Sequence, residues 1–177
     1  MRLALALGLV AAALVATTPS AEAAPAPYVI QSDRSAGGIL IARSKPAAAF
    51  ARFGPPSSQR ADGPSCLMYW KRLQLAIRFL DFGRPPCTNG VAAVITVTSR
   101  EHWRTAVGLR VGDRIARLWR LYPKASLQRG TFTPFAGYWL VTRRACAEVG
   151  GAPYPGLLAR ARNGRVSALV VSTTACE

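Results

Sequence analysis

The sequence is poor in the side chains that perform acid–base, nucleophilic or metal chemistry. It contains 1 histidine and 8 acidic residues among 177. It has no Cys-x-x-Cys pair, no glycine-rich phosphate loop and no Gly-x-Ser-x-Gly motif. The histidine, His102, follows Glu101, but adjacent side chains point apart in most backbone conformations, so we interpret it as part of a connecting segment. Catalysis needs a positioned acid, base, nucleophile or metal, so the sequence predicts a non-enzymatic protein without cofactor or metal.

Apolar runs long enough to cross a membrane are also lacking. The apolar run over residues 3–16 follows Arg2 and precedes a small-x-small pattern at residues 21–23. This order is typical of a secretory signal peptide, which we expect to occupy residues 1–23 and to be removed. The run is too short to span a bilayer comfortably, and no later stretch predicts a transmembrane segment. The sequence therefore predicts one domain that is secreted or located in the periplasm or cell envelope.

Negative charge is scarce beside positive charge. The chain has 23 lysines and arginines against 8 acidic residues, a formal net charge of +15. One interpretation is affinity for a polyanion such as nucleic acid, anionic lipid or an acidic envelope polymer. The other is genome composition, because 20 of the basic residues are arginine and 3 are lysine, as GC-rich codons produce. The arginines are scattered rather than massed, so we expect no nucleic-acid partner and keep an anionic envelope polymer as a possible one.

The cysteines number only four, and they predict two disulfide bonds. An even count in an exported chain favours disulfides over metal or free thiols. If each half of the chain forms a three-stranded antiparallel meander, Cys66 begins the first strand and Cys87 follows the second, so both lie at one end of the sheet. In the second meander, Cys146 follows the first strand and Cys176 follows the third, so these two also share an end. We therefore expect the pairs Cys66–Cys87 and Cys146–Cys176, each worth about 3 kcal/mol in the chain-entropy treatment.

What the chain does contain is an internal similarity. Three pairs of segments match in the same order: GILIARSKPAAAFARFG (38–54) with GLRVGDRIARLWRLYP (108–123), MYWKR (68–72) with GYWLV (137–141), and NGVAAVITVTS (89–99) with NGRVSALVVST (163–173). Such order predicts a tandem duplication. After the signal peptide, the chain is expected to consist of an N-terminal segment (24–36), repeat 1 (37–99), a linker (100–106) and repeat 2 (107–177).

Each repeat is expected to hold one short helix and several strands. Ile115, Leu118, Trp119 and Tyr122 recur at helical spacing, whereas apolar residues alternate along residues 73–80 as in a half-buried strand. Asn163-Gly164 predicts a two-residue hairpin turn. The pattern predicts an α+β fold of two tandem repeats, each a short helix followed by a three- or four-stranded antiparallel meander. Together the repeats would form one curved sheet with helices on one face.

These segments resemble the unit of the β-lactamase-inhibitor-protein-like (BLIP-like) fold, which is related to a small lipoprotein of the β-barrel assembly machinery. The resemblance covers residues 37–176 and rests on the capped helix, the Tyr-Trp strands and the Asn-Gly strands. It implies a sheet whose free face and loops grip a partner protein. The cysteine positions and the basic charge depart from the pattern, and no inhibitory residue can be transferred.

The predicted function is a secreted binding module that contacts an extracellular or envelope protein through the free sheet face and loops. The alternative is a cell-envelope protein that binds an anionic polymer or surface through its charge. Adjacent strand residues face opposite sides, so one member of each Tyr-Trp pair is expected to point outward. The candidate binding residues are Tyr69, Trp70, Arg78, Phe132, Phe135, Tyr138, Trp139 and Tyr154.

Overall fold

The structure is a computed structural model that describes residues 28–129, 135–144 and 151–173. Within these ranges it contains twelve strands and three short helices. The strands are β1 (Tyr28–Gln31), β2 (Ser35–Ala36), β3 (Ile39–Leu40), β4 (Ser58–Asp62), β5 (Ser65–Trp70), β6 (Leu75–Leu80), β7 (Val91–Val97), β8 (Trp103–Thr105), β9 (Ser126–Gln128), β10 (Gly137–Arg144), β11 (Pro153–Arg162) and β12 (Arg165–Ser172). The helices are α1 (Pro46–Phe53), α2 (Pro86–Asn89) and α3 (Ile115–Leu121).

Eight strands form one antiparallel sheet in the order β4-β5-β6-β7-β12-β11-β10-β9. Strands β7 and β12 meet at its centre, where Val97 pairs with Leu169 and Ile95 pairs with Val171. The sheet therefore consists of two sets of four strands, β4–β7 and β9–β12. The last strand of each set is central, and the first strand of each set, β4 or β9, forms an edge. The hairpin turn between β11 and β12 is the predicted one, because Asn163 and Gly164 both have positive φ angles of 52° and 70°.

The other four strands form a small second sheet in the order β3-β2-β1-β8. Strand β1 pairs in parallel with β8, so Tyr28 lies opposite Trp103 although 75 residues separate them. The Trp103 ring is fully buried, and its indole N–H donates to the carbonyl of Leu73 at 2.9 Å. The segments expected to be an N-terminal extension and a linker thus contribute strands and core side chains.

One side of the eight-stranded sheet packs into the hydrophobic core and is called the closed face. Its members alternate along the strands, as the pattern over residues 73–80 predicts: Met68, Leu75, Ile77, Phe79, Ile95, Val97, Leu157, Leu169 and Val171. Helix α1 lies against this core through the buried Ala49, and the Trp70 indole N–H donates to the carbonyl of Gly54 just after the helix. Helix α3 contributes the buried Leu118.

The predicted disulfide between Cys66 and Cys87 is confirmed. Cys66 lies on the closed face of β5 and Cys87 lies in α2, with their Cα atoms 5.1 Å apart. The bond fixes the short α2 segment to the end of the sheet. The other expected pair, Cys146–Cys176, lies outside the described residues.

The prediction of an α+β fold built from two helix-plus-meander repeats is wrong. The described residues form a mainly β structure, with two sheets of eight and four strands and helices of only eight, four and seven residues. The predicted pattern missed β4 because its sequence, SQRAD, shows no alternation of apolar and polar residues. It missed β8 because this strand pairs with β1, which lies 75 residues earlier in the chain. It missed β1 and β2 because they are strands of only four and two residues, too short to show a period.

Candidate binding surface on the open face of the sheet

The side of the eight-stranded sheet opposite the closed face is called the open face. Strand pairing places its side chains in cross-strand rows. Across β5, β6, β7 and β12, one row is Leu67, Arg78, Val94 and Ser172, and the next is Tyr69, Ala76, Thr96 and Val170. Both rows follow from the two-residue period of a strand, since each member is a sequence neighbour of a core residue.

The open face carries a cleft of about 460 Å³. Its lining residues are Leu67, Ala76, Arg78, Val94, Thr96, Phe135, Arg160, Val170, Ser172 and Thr173. Access is greatest over β5 and β6, where Leu67 is 40% exposed and Arg78 is exposed. Over β11 and β12 the corresponding side chains Leu158 and Val170 are buried. The accessible part therefore combines an apolar side chain with a cation, within a volume that suits side chains of a partner.

The Arg78 guanidinium is oriented by a polar neighbour at the end of β5. Its Nη1 group donates to Ser65 Oγ at 3.2 Å, and that hydroxyl donates to the carbonyl of Asp62 at 3.0 Å. A guanidinium has five N–H donors in a planar fork. With one donor directed to Ser65, the others can bind a carboxylate or a carbonyl of a partner.

The first Tyr-Trp pair divides between the two faces as expected for adjacent strand residues. Tyr69 is half-buried on the open face, whereas Trp70 is buried on the closed face, where its ring lies 5.8 Å from that of Phe53. Of this pair, only Tyr69 stands on the surface that holds the cleft. Trp70 is a core residue.

The second Tyr-Trp pair divides in the same way at the far side of the sheet. Tyr138 packs edge-on against Trp119 of α3, with ring centroids 5.5 Å apart. Trp139 lies opposite Leu158 and so belongs to the open face. Because neighbouring strands are about 4.8 Å apart, five steps separate Trp139 from Tyr69 by about 24 Å. The two outward aromatics therefore do not form one compact cluster.

The remaining candidate binding residues lie in different parts of the chain. Phe135 is half-buried, lines the cleft, and accepts a hydrogen bond from the Trp139 indole N–H at 2.8 Å through its carbonyl. Tyr154, predicted to be a binding residue, lies in β11 and is buried, so it does not present its ring on this surface. Phe132 lies outside the described residues. The structure thus brings Arg78, Tyr69 and Phe135 to one surface.

Sequence reasoning missed several members of this surface. Leu67, Val94 and Thr96 are not among the predicted binding residues, although alternation with buried neighbours could have placed them on the outward face. It also missed Phe82, which is 80% exposed in the loop after β6. The signal was available there, because a phenylalanine between Asp81 and Gly83 stands in a turn sequence rather than in a strand.

The acidic and histidine groups form no evident catalytic arrangement in the described ranges. Hydrogen bonds from the Gly83 amide and then from Arg84 lower the pKa of Asp81, although partial desolvation opposes them. His102 is half-buried in a turn, and its carbonyl accepts from the Tyr28 amide. Residues 28–129, 135–144 and 151–173 contain no group of three His, Cys, Asp or Glu side chains that could hold a metal ion.

Comparison with protein families, with curated proteins and with solved structures gave no match. The resemblance to BLIP-like proteins therefore stays a prediction. Among the helices of the described ranges, none has both the length and the apolar character needed to cross a bilayer.

Proposed function

We propose that this protein is an exported, non-enzymatic binding module whose open face docks a protein partner. The observation that supports this most is the unequal cover of the two sheet faces. Leu67 is 40% exposed beside Arg78 in a cleft of about 460 Å³, whereas the opposite face of the same strands is packed. Apolar side chains beside arginine are characteristic of the central part of protein interfaces.

Export is supported by the Cys66–Cys87 bond. Disulfides persist in oxidising compartments such as the periplasm or the extracellular space and are rare in a reducing cytosol. The partner we propose is accordingly an extracellular or envelope protein. Its contact surface would present a carboxylate to Arg78 and apolar side chains to Leu67 and Val94.

The test begins with capture of a partner from the extracellular and envelope fractions of the producing cells by the full chain. Leu67→Asp and Arg78→Glu should each reduce capture of the same protein at least about tenfold, because they place a charge in the apolar part or reverse the cation. Arg120→Glu, on the exposed side of α3, is the matched control and should leave capture unchanged. Equal capture by all four proteins, with unchanged thermal unfolding, would contradict the proposal.

The charge distribution supports a second candidate function, the binding of an anionic polymer. A second cleft of about 470 Å³ is lined by Arg34, Arg43 and Arg143 together with Asp33. Asp33 forms an ion pair with Arg143, so the cleft keeps an excess of positive charge from the other two arginines.

Binding to dextran sulfate at increasing salt concentration tests this candidate. Electrostatic binding should weaken steeply with salt, and Arg34→Glu/Arg43→Glu should weaken it more than the same charge change at Arg60 and Arg162. Salt-independent binding would contradict binding through charge, and equal losses in the two double variants would leave only non-specific attraction to the basic chain.

A further inference from the structure

Phe82 is the most exposed large apolar side chain of the described residues. It is 80% exposed, while the others in this class are 37–51% exposed. Aromatic side chains are enriched in protein interfaces, and a ring with this exposure is accessible to a partner. The position of Phe82, in the loop between β6 and α2, lies beyond the strand rows that form the open face.

The loop that carries Phe82 is held on its N-terminal side by Asp81. The Asp81 amide donates to the carbonyl of Pro64 at 2.9 Å, which joins the loop to the β4–β5 turn. The Asp81 carboxylate accepts from the amides of Gly83 and Arg84, both at 2.9 Å, and pairs with the Arg84 guanidinium at 3.3 Å. These contacts close a tight turn around Phe82 and fix its backbone.

The C-terminal side of the loop is fixed by covalent constraints. Pro85 and Pro86 have restricted φ angles, and Pro86 begins α2. The next residue, Cys87, is bonded to the buried Cys66 of β5. A loop fixed at both ends loses little conformational freedom when it binds, which increases the affinity gained from each contact.

We propose that residues 81–86, the Phe82 loop, insert the Phe82 ring into a preformed apolar pocket of a protein partner whose rim presents a carboxylate to Arg84. The carboxylate follows from the charge of Arg84. Its Nε pairs with Asp81, but the side chain is 65% exposed, and the other N–H donors of the guanidinium can bind a second carboxylate. A lipid surface is a poorer fit, because even one myristoyl chain gives only marginal membrane binding and this loop offers a single ring.

The Phe82 loop is a separate contact from the open face, and variants distinguish them. Phe82→Ala and Asp81→Ala test the loop, whereas Arg78→Glu tests the face. Loss of binding in the first pair alone would support the loop and count against the face. Loss in Arg78→Glu alone would support the face and overturn the loop proposal.

The primary experiment is photocrosslinking with p-benzoylphenylalanine at position 82 of the full chain, added to the extracellular and envelope fractions of the producing cells. The matched control carries the same group at position 107, where Val107 is 51% exposed. We expect a discrete protein adduct from position 82 that excess wild-type chain suppresses and excess Phe82→Ala chain does not. No suppressible adduct, or the same adduct from both positions, would overturn the proposal.

The captured protein then allows affinity to be measured with purified components. Phe82→Ala should raise Kd about 30-fold or more, as for an interface anchor. Asp81→Ala, which keeps the ring but removes the turn, should raise Kd by about fivefold to tenfold, and Arg84→Glu should also weaken binding. Unchanged Kd for Phe82→Ala would overturn the proposal. Thermal unfolding of Phe82→Ala should match wild type, since this ring is 80% exposed. Asp81→Ala loses the hydrogen bonds of the turn, so its Kd is measured at a temperature where the variant is fully folded.

Two further measurements test whether the Phe82 loop is ordered in the free protein and whether its ring binds a protein rather than a lipid surface. Heteronuclear NOE values for the Gly83 and Arg84 amides in the free protein should equal those of the neighbouring strands, and values typical of a disordered loop would overturn the proposal. Co-sedimentation with phosphatidylcholine vesicles containing 30 mol% phosphatidylglycerol should be the same for wild type and Phe82→Ala. Sedimentation that depends on Phe82 would identify a lipid surface instead of a protein pocket.

Discussion

The two faces of the eight-stranded sheet arise from the same strands but meet different surroundings. Phe79 and Ile77 of β6 are fully buried, while Arg78 between them is exposed. On β5, Met68 is buried and Leu67 beside it is 40% exposed. Alternation therefore sorts side chains between faces. The small sheet and the helices cover the closed face, whereas the open face is exposed over β5 and β6 and buried at Leu158 and Val170. The exposed Leu67 is therefore a stronger indication of a binding surface than the buried apolar residues of the closed face.

The largest difference between the faces should appear in large-to-small substitutions. Phe79→Ala removes a fully buried ring and should lower the free energy of unfolding by about 3–5 kcal/mol, because it leaves a cavity. Leu67→Ala, the matched change on the open face, should cost less than about 1 kcal/mol. Urea denaturation at neutral pH measures both. Similar losses at the two positions would mean that the open face is packed as well.

The next effect concerns the bond that joins the closed face to α2. Cys66→Ala/Cys87→Ala opens a link across 21 residues and should lower the free energy of unfolding by about 2–4 kcal/mol in the chain-entropy treatment. Thr88→Ala, an exposed change in the same helix, is the control and should be nearly neutral. A double variant as stable as the control would show that α2 is held by packing alone.

Alkaline pH should lower the stability of the fold through Tyr122, which packs against the core on the closed face. Burial raises the pKa of Tyr122 above 10.0, although a hydrogen bond with Thr105 acts in the opposite direction. The folded state therefore keeps this proton more tightly than the unfolded state, so stability present below pH 10 is lost as pH rises through the folded pKa. Wild type should therefore lose more stability than Tyr122→Phe as pH rises above about 10. Parallel pH profiles would contradict this.

Acidic pH should produce a smaller loss of stability through Asp81, which lies in the loop after β6. Its pKa lies below 3.8, first because the Gly83 amide donates to the carboxylate. The ionised form is thus favoured by folding, and its contribution is present above the unfolded pKa and lost as pH falls through the folded pKa. Wild type should have a higher Tm than Asp81→Asn at pH 7, with the difference shrinking below about pH 4. A constant difference from pH 7 to pH 2 would exclude this ionisation as its cause.

The strands with a clear apolar period could be predicted from sequence. Leu75, Ile77 and Phe79 alternate and are buried together, and the Asn163-Gly164 turn follows from two residues that tolerate positive φ. The polar strand β4 could not be predicted in this way, because its main chain pairs with β5 without an apolar face of its own. Local patterns identify a strand only where burial repeats along it.

The helices show the same limit. The helical spacing around Leu118 correctly indicated α3, and Leu118 is fully buried. Trp119 belongs to the same predicted apolar stripe, yet it is 39% exposed and contacts Tyr138 edge-on. A short helix contributes few buried positions, so tertiary packing decides which members of its apolar stripe are covered.

For the candidate site, the sequence indicated the residue types but not their grouping. Arg78, Tyr69 and Phe135 were singled out, and the structure places them on one surface with Leu67. Trp139 is on the same face but about 24 Å from Tyr69 by strand spacing. The turn sequence around Phe82 separates it from the strand residue Phe79, but only the three-dimensional structure shows that its ring is 80% exposed.

The sequence by itself determined the strand periods, the Asn163-Gly164 hairpin and the Cys66–Cys87 pairing, because each depends on residues close in the chain or on simple chain order. Only the tertiary structure decided that Tyr28 pairs with Trp103, that the larger sheet of the described residues has eight strands, and which open-face side chains stay exposed. Those outcomes depend on contacts between distant segments, whose free energy is shared over many residues and leaves no local pattern to read.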